Sequence, residues 1–145
     1  MAGSSRDSAP VDFDVLEDMR AYLVTSARFR ELEWRPDYAP DSLDCTYDAG
    51  LYPVSIDEAY LQITWFKNDD FYVHYQENWT DSDEKKCRWD RHPNDHNTRD
   101  HYHPLPDAAT PGQDDSYSRN WKDVVSRVLQ EVDARIEAFW ESEGS

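Results

Sequence analysis

Glycine, lysine and cysteine are scarce in this chain, and long apolar runs are missing. Only 4 of its 145 residues are glycine, too few for the turns that cradle nucleotide phosphates. It has no Gly-rich phosphate loop, no nucleophile elbow and no His-Glu-x-x-His pattern. The 2 cysteines, Cys45 and Cys87, fall short of a disulfide framework. Each lies in a strand-like stretch and is expected to be a small buried apolar residue. No segment approaches the ~18 apolar residues of a membrane span, and residues 1–10 lack the apolar stretch of a secretory leader. A cytoplasmic protein without membrane attachment is the expectation.

Positive charge is short as well. Against 31 Asp+Glu stand 15 Lys+Arg, for a net charge of −16. Only 4 of those cations are lysine, and Asp outnumbers Glu 21 to 10. Short carboxylates with few ammonium stems suit a surface solvated in concentrated salt, where at ~1 M the Debye length is about 3 Å. The composition therefore reads as halophilic. Aromatic residues are plentiful at 14%, which excludes an acidic disordered chain. No helix is basic enough to enter a DNA groove.

The pattern along the chain gives one α+β domain over residues 11–142 behind a frayed tail at 1–10. A first helix starts near Asp12 or Asp14, with Val15, Leu16, Met19, Tyr22 and Leu23 on one face. Phe29, Leu32 and Trp34 fit either the end of that helix or a first strand, and Pro36 stops the helix in either case. From Leu43 the period becomes two, through Cys45 and Tyr47. The stretches 58–66 and 71–76, joined at Lys67-Asn68-Asp69-Asp70, form the clearest hairpin. Residues 86–91 make a further strand. Residues 92–118 hold four of the 8 prolines and read as a long loop, with one extended piece at 100–103. A strong amphipathic helix closes the chain from about Ser118 to Glu141, with Val124, Val128, Val132, Ile136 and Phe139 expected inside. The sum is an antiparallel meander of about 4–5 strands with both helices on one face.

One segment reverses the acidity. Between Lys85 and His103, five cations (Lys85, Lys86, Arg88, Arg91, Arg99) meet three aspartates (Asp90, Asp95, Asp100), a net of +2. The other 126 residues therefore carry −18. The same segment holds His92, His96, His101 and His103, four of the 5 histidines. Three readings fit it. In the first, Arg88, Arg91 and Arg99 grip RNA phosphates and Trp89 and Tyr102 stack bases. Two of His92, His96, His101 and His103, with Asp90, then exchange protons in backbone cleavage, a chemistry that needs no metal. In the second, the histidines bind a metal with Asp90, Asp95, Asp100 or Cys87 completing the set, although the spacing matches no zinc motif. In the third, the cations only pin the loop through salt bridges. The leading reading is the first, with no metal ligand and no cofactor assigned. The lone His74, in mid-strand, reads as an ordinary sheet residue.

The run from Cys87 to Pro104 resembles the signature of TumE-like proteins, toxin components of type II toxin–antitoxin pairs with many members in halophilic archaea. The matching positions are Trp89-Asp90, His92-Pro93, His96 and His101-Tyr102-His103. Pro104 follows His103 directly, where the family pattern leaves one residue between. The Trp65-Phe66 to Asp70-Phe71 hairpin and the closing helix also fit, so the similarity spans about residues 12–141. The resemblance implies a toxin encoded beside a helix-turn-helix antitoxin partner, with RNA as a candidate target; the alternative is a non-catalytic interaction or accessory protein of a halophile.

Overall fold

The structure is a computed structural model that describes residues 9–38, 40–92 and 100–144. Helix α1 (Phe13–Leu23) leads into seven strands: β1 (Phe29–Arg35), β2 (Ser42–Tyr47), β3 (Ile56–Trp65), β4 (Phe71–Trp79), β5 (Lys85–Arg91), β6 (Asp100–His103) and β7 (Gln113–Asp114). Helix α2 (Trp121–Gly144) follows, and a 3-10 turn, Ala49–Leu51, sits between β2 and β3. The strands lie in chain order in one sheet, every neighbouring pair antiparallel. The α+β class and the two flanking helices are as the sequence indicated. The strand count is not: there are seven strands rather than four or five. Residues 29–35 form an edge strand, the extended piece at 100–103 pairs with β5 as β6, and the expected loop beyond it contributes a further two-residue strand, β7.

The ends of α1 follow from local chemistry. The Asp12 side chain accepts the Val15 amide at 3.2 Å, and the Asp12 amide donates to the Trp65 carbonyl at 2.8 Å. Helix start and β3 end are thereby tied together. At α2 the Asn120 side-chain oxygen accepts from the Lys122 amide at 2.9 Å. Leu16, Met19 and Leu23 of α1 join Val124, Val125, Val128, Leu129, Val132 and Ile136 of α2 in one core, while Phe139 is only partly buried. Burying each such side chain contributes roughly 1.5–3 kcal/mol. Both cysteines are free and buried in this core. Burial pushes the Cys87 thiol up to about 12.

Cross-strand register separates the two faces of the sheet. On the helix side one row runs Trp34, Leu43, Ile63, Val73, Trp89, Tyr102, and the next Leu32, Cys45, Leu61, Tyr75, Cys87. A polar network closes the same side. Glu77, fully buried, accepts from Tyr75 Oη at 2.7 Å, Trp79 Nε1 at 3.0 Å and Arg135 Nη2 at 2.8 Å. Arg135 Nε makes a second, short contact to it. The Tyr52 hydroxyl lies 2.9 Å from that of Tyr75 and extends the chain. This network and the bond from Trp89 Nε1 to Glu131 at 2.9 Å clamp α2 to β4 and β5.

Candidate functional site

The opposite face of the sheet gathers His74, His101 and His103 with Arg88 and Asp90. Its first row reads Asp44, Gln62, His74, Arg88, His103 and its second Thr64, Tyr72, Asp90, His101, Asp114. Antiparallel register thus sets Arg88 beside His103 and Asp90 beside His101, about 15 and 11 positions apart in the chain. His92, one residue past β5, completes the group.

Asp90 is the hub and is fully buried. Its Oδ2 receives Arg88 Nε at 2.8 Å and faces His103 Nε2 at 3.2 Å. Its Oδ1 faces His101 Nδ1 at 3.6 Å and His92 Nε2 at 3.7 Å, and has no hydrogen-bond partner among the described residues. The rings run on in sequence: His101 lies 6.1 Å from His103 and 5.8 Å from His92, and Tyr72 stacks on His92 at 5.8 Å. Exposure divides the group. His101 and His103 are 2% and 3% exposed. The Arg88 and His92 side chains keep 31% and 33% of their surface in solvent.

The covering of His103 is built from the chain that follows it. Residues 104–112 fold back so that His103 Nδ1 lies 3.1 Å from the Ala109 carbonyl oxygen. A neutral ring donating there keeps its Nε2 lone pair for Arg88 Nη2, 3.3 Å away; a charged ring would donate from Nε2 to Asp90 instead. Gly112 makes the closure possible. A Cβ on it would meet His103 Cε1 at 2.8 Å and the Tyr102 carbonyl oxygen at 2.9 Å.

Of the residues the sequence singled out, Arg88, Asp90, His92, His101 and His103 come together. His96 and Arg99 lie outside the described residues. Arg91, Trp89 and Tyr102 face the helices, away from the cluster. Arg91 is buried and spends its donors on the carbonyls of Asp69, Tyr117 and Ser118. Burial pulls its pKa below the usual arginine range, against the opposing field of Asp100 at 3.6 Å. Trp89 is buried with its N–H bound to Glu131, and Tyr102 packs on it at 5.6 Å. The aromatic residue that does stand at the cluster, Tyr72, was not among the expected residues, nor was His74 beside Tyr60 at 6.2 Å. Strand parity could have found them. Phe71 and Val73 are apolar and belong inside, which leaves Tyr72 and His74 on the face shared with Arg88 and Asp90.

Among the described residues no helix is long and apolar enough to cross a membrane. Comparison with curated proteins and with solved structures finds no match to the chain. The family model described as toxin TumE matches residues 14–136, a span that contains all but the first residue of α1, the seven strands, the Asp90 cluster and most of α2. The chain belongs to the toxin TumE family.

Proposed function

We propose that this protein is a toxin that binds and cleaves RNA at the Asp90 cluster and is held silent by an antitoxin. The observation that carries the reading is the makeup of the open sheet face. Partly exposed Arg88 and His92 flank a buried carboxylate, and the Tyr72 ring, 38% exposed, stacks on His92. Arginine recognises phosphate oxygens through its planar fork, and an exposed tyrosine offers an unpaired base a stacking surface. A strongly acidic chain that gathers a cation, imidazoles and an aromatic ring at one place provides for an anionic, base-bearing ligand. The His/Arg-rich segment opposite such a ligand is also the natural surface for the antitoxin to cover, and a helix-turn-helix protein encoded alongside is the partner expected. The aspartate-rich surface suits a halophilic cell, where screening weakens phosphate contacts and stacking carries a larger share of affinity.

Purified protein titrated into a labelled single-stranded RNA oligomer, in buffers of rising salt, tests the reading. Tyr72→Ala should weaken binding by about 1–3 kcal/mol at all salt concentrations. Arg88→Ala should weaken it most at low salt. Induction in cells without the neighbouring gene should arrest growth with shortened RNA, and His92→Ala should abolish both effects. Wild-type protein that neither binds nor shortens RNA would end this reading.

A further inference from the structure

We propose that Asp90, His92 and His101 form a zinc-binding site with one coordination position open. This deepens the RNA reading as to what the site does, but binding of the ion stands independently of it. One ligand atom from each of these residues lies within 4.8 Å of the other two. Zinc bonds of about 2.0–2.2 Å at tetrahedral angles place ligand atoms about 3.3–3.6 Å apart. Asp90 Oδ1 stands 3.6 Å from His101 Nδ1 and 3.7 Å from His92 Nε2, too long for hydrogen bonds and a few tenths of an ångström from a coordination sphere.

The surroundings have the form of a supported metal site. The other oxygen of Asp90 is held by Arg88, with His103 Nε2 packed 3.2 Å from it, and the His103 ring is positioned in turn against the Ala109 carbonyl. Such outer contacts fix the angle at which a carboxylate presents its free oxygen. Burial, which keeps His101 from touching a substrate, is no obstacle to its serving as a ligand. Partly exposed His92 provides the entry path. Two imidazoles and one carboxylate suit zinc, and three protein ligands leave a tetrahedral ion one place for water or a phosphate oxygen.

The test uses full-length protein without a histidine tag, stripped with chelator and then exposed to zinc in excess magnesium and high salt, which displace ions held loosely by surface carboxylates. One zinc per chain should remain after desalting, and cobalt in its place should give the intense visible bands of a tetrahedral site. His92→Ala, at a one-third-exposed position, should lose the ion while keeping the native circular dichroism spectrum; Asp90→Asn should lose it too. His103→Gln touches no ion and should weaken affinity about 10–100-fold. Stripped wild type that takes up no zinc, or a folded His92→Ala variant that binds as wild type does, would overturn the proposal. Since uptake is read without RNA, zinc binding by a protein that ignores RNA would remove only the RNA reading, and RNA cleavage by a protein that takes up no zinc would remove only the metal site.

Discussion

Replacing Arg135 by methionine should destabilise the fold by about 3–5 kcal/mol, the usual penalty for leaving a buried charge without its partner. Methionine keeps an apolar stem of similar length but removes the guanidinium, whose Cζ also lies 4.7 Å over the Phe139 ring, so the change tests the ion pair together with that contact. Glu77 is fully buried, while the Arg135 side chain is 26% exposed. Burial works against the charge of Arg135, yet the bond and field of Glu77 hold its pKa above the usual arginine range. Without it the Glu77 carboxylate keeps only Tyr75 and Trp79 as donors. An unfolding entropy of about 2.1 cal/mol/K per residue gives a chain of this length roughly 0.3 kcal/mol/K, so the loss corresponds to a fall in Tm of about 10–16 °C. Reversible thermal or urea unfolding followed by circular dichroism measures it. Adding Glu77→Leu to the same chain removes the stranded charge, and the double variant should recover most of the loss. A single variant that loses less than about 1 kcal/mol would show the pair behaving like a surface ion pair, and the clamp argument would fail.

Two further outcomes are expected. Asp115 accepts from Arg127 Nη2 at 2.7 Å, and although partial burial acts to raise its pKa, the bonds from Arg127 and the Ser116 amide hold it below the ordinary carboxylate value. Its stabilising effect is present above that ordinary value of about 3.9 and is lost as pH falls through the lower folded one. Asp115→Asn should therefore be less stable than wild type at neutral pH, with the gap in unfolding free energy closing in acid; a gap that stays constant with pH refutes the assignment. Gly112→Ala pushes a methyl group against the Tyr102 carbonyl oxygen and the His103 ring, which should cost about 1–3 kcal/mol and weaken zinc binding together with stability. Unchanged stability on urea unfolding would mean the backbone yields there without strain.

The elements that were legible in the sequence are those whose side chains separate cleanly by polarity. β3 and β4 alternate Ala59, Leu61, Ile63, Trp65 and Phe71, Val73, Tyr75 inward, and their register pairs Leu61 with Tyr75 and Ile63 with Val73. α2 repeats valine at helical spacing through Val132. β1 was ambiguous because Phe29, Leu32 and Trp34 satisfy a helical spacing and a strand spacing alike, and its outward Glu31, Glu33 and Arg35 carry no periodic signal of their own. β6 shows in the sequence only as an extended piece within a loop, because all its inward and outward positions, Asp100 to His103, are polar or amphipathic; burial there comes from ion pairing and from chain folded over His103, not from hydropathy. β7 is two residues long and has no pattern to read. Charge reversal along the chain marks the cluster, but neighbours in a strand do not share a face, so chain proximity does not give its membership. Residues 88 and 90 point one way and 89 and 91 the other, so three of the five expected ligand-binding residues, Trp89, Arg91 and Tyr102, lie on the helix side.

A salt-bridged pin and a ligand site differ in how a buried carboxylate uses its oxygens, and this molecule contains two buried carboxylates to compare on that ground. Glu77 lies on the helix side with both oxygens occupied: Oε1 receives Trp79 and Arg135, and Oε2 receives Tyr75 and Arg135. Nothing remains for a ligand, and its place between β4 and α2 explains it completely as a clamp. Asp90 is buried to the same degree, yet only Oδ2 is closed, by Arg88 and His103. Oδ1 stops short of hydrogen-bonding distance from two imidazoles, one of them open to solvent. Leaving a buried carboxylate oxygen unsatisfied costs about 1–3 kcal/mol or more, a penalty the Glu77 arrangement shows this fold can avoid. A loop pinned only for stability would have closed the second oxygen as well. The half-closed carboxylate, held rigidly from behind and facing two nitrogen donors, is what a bound ion would complete.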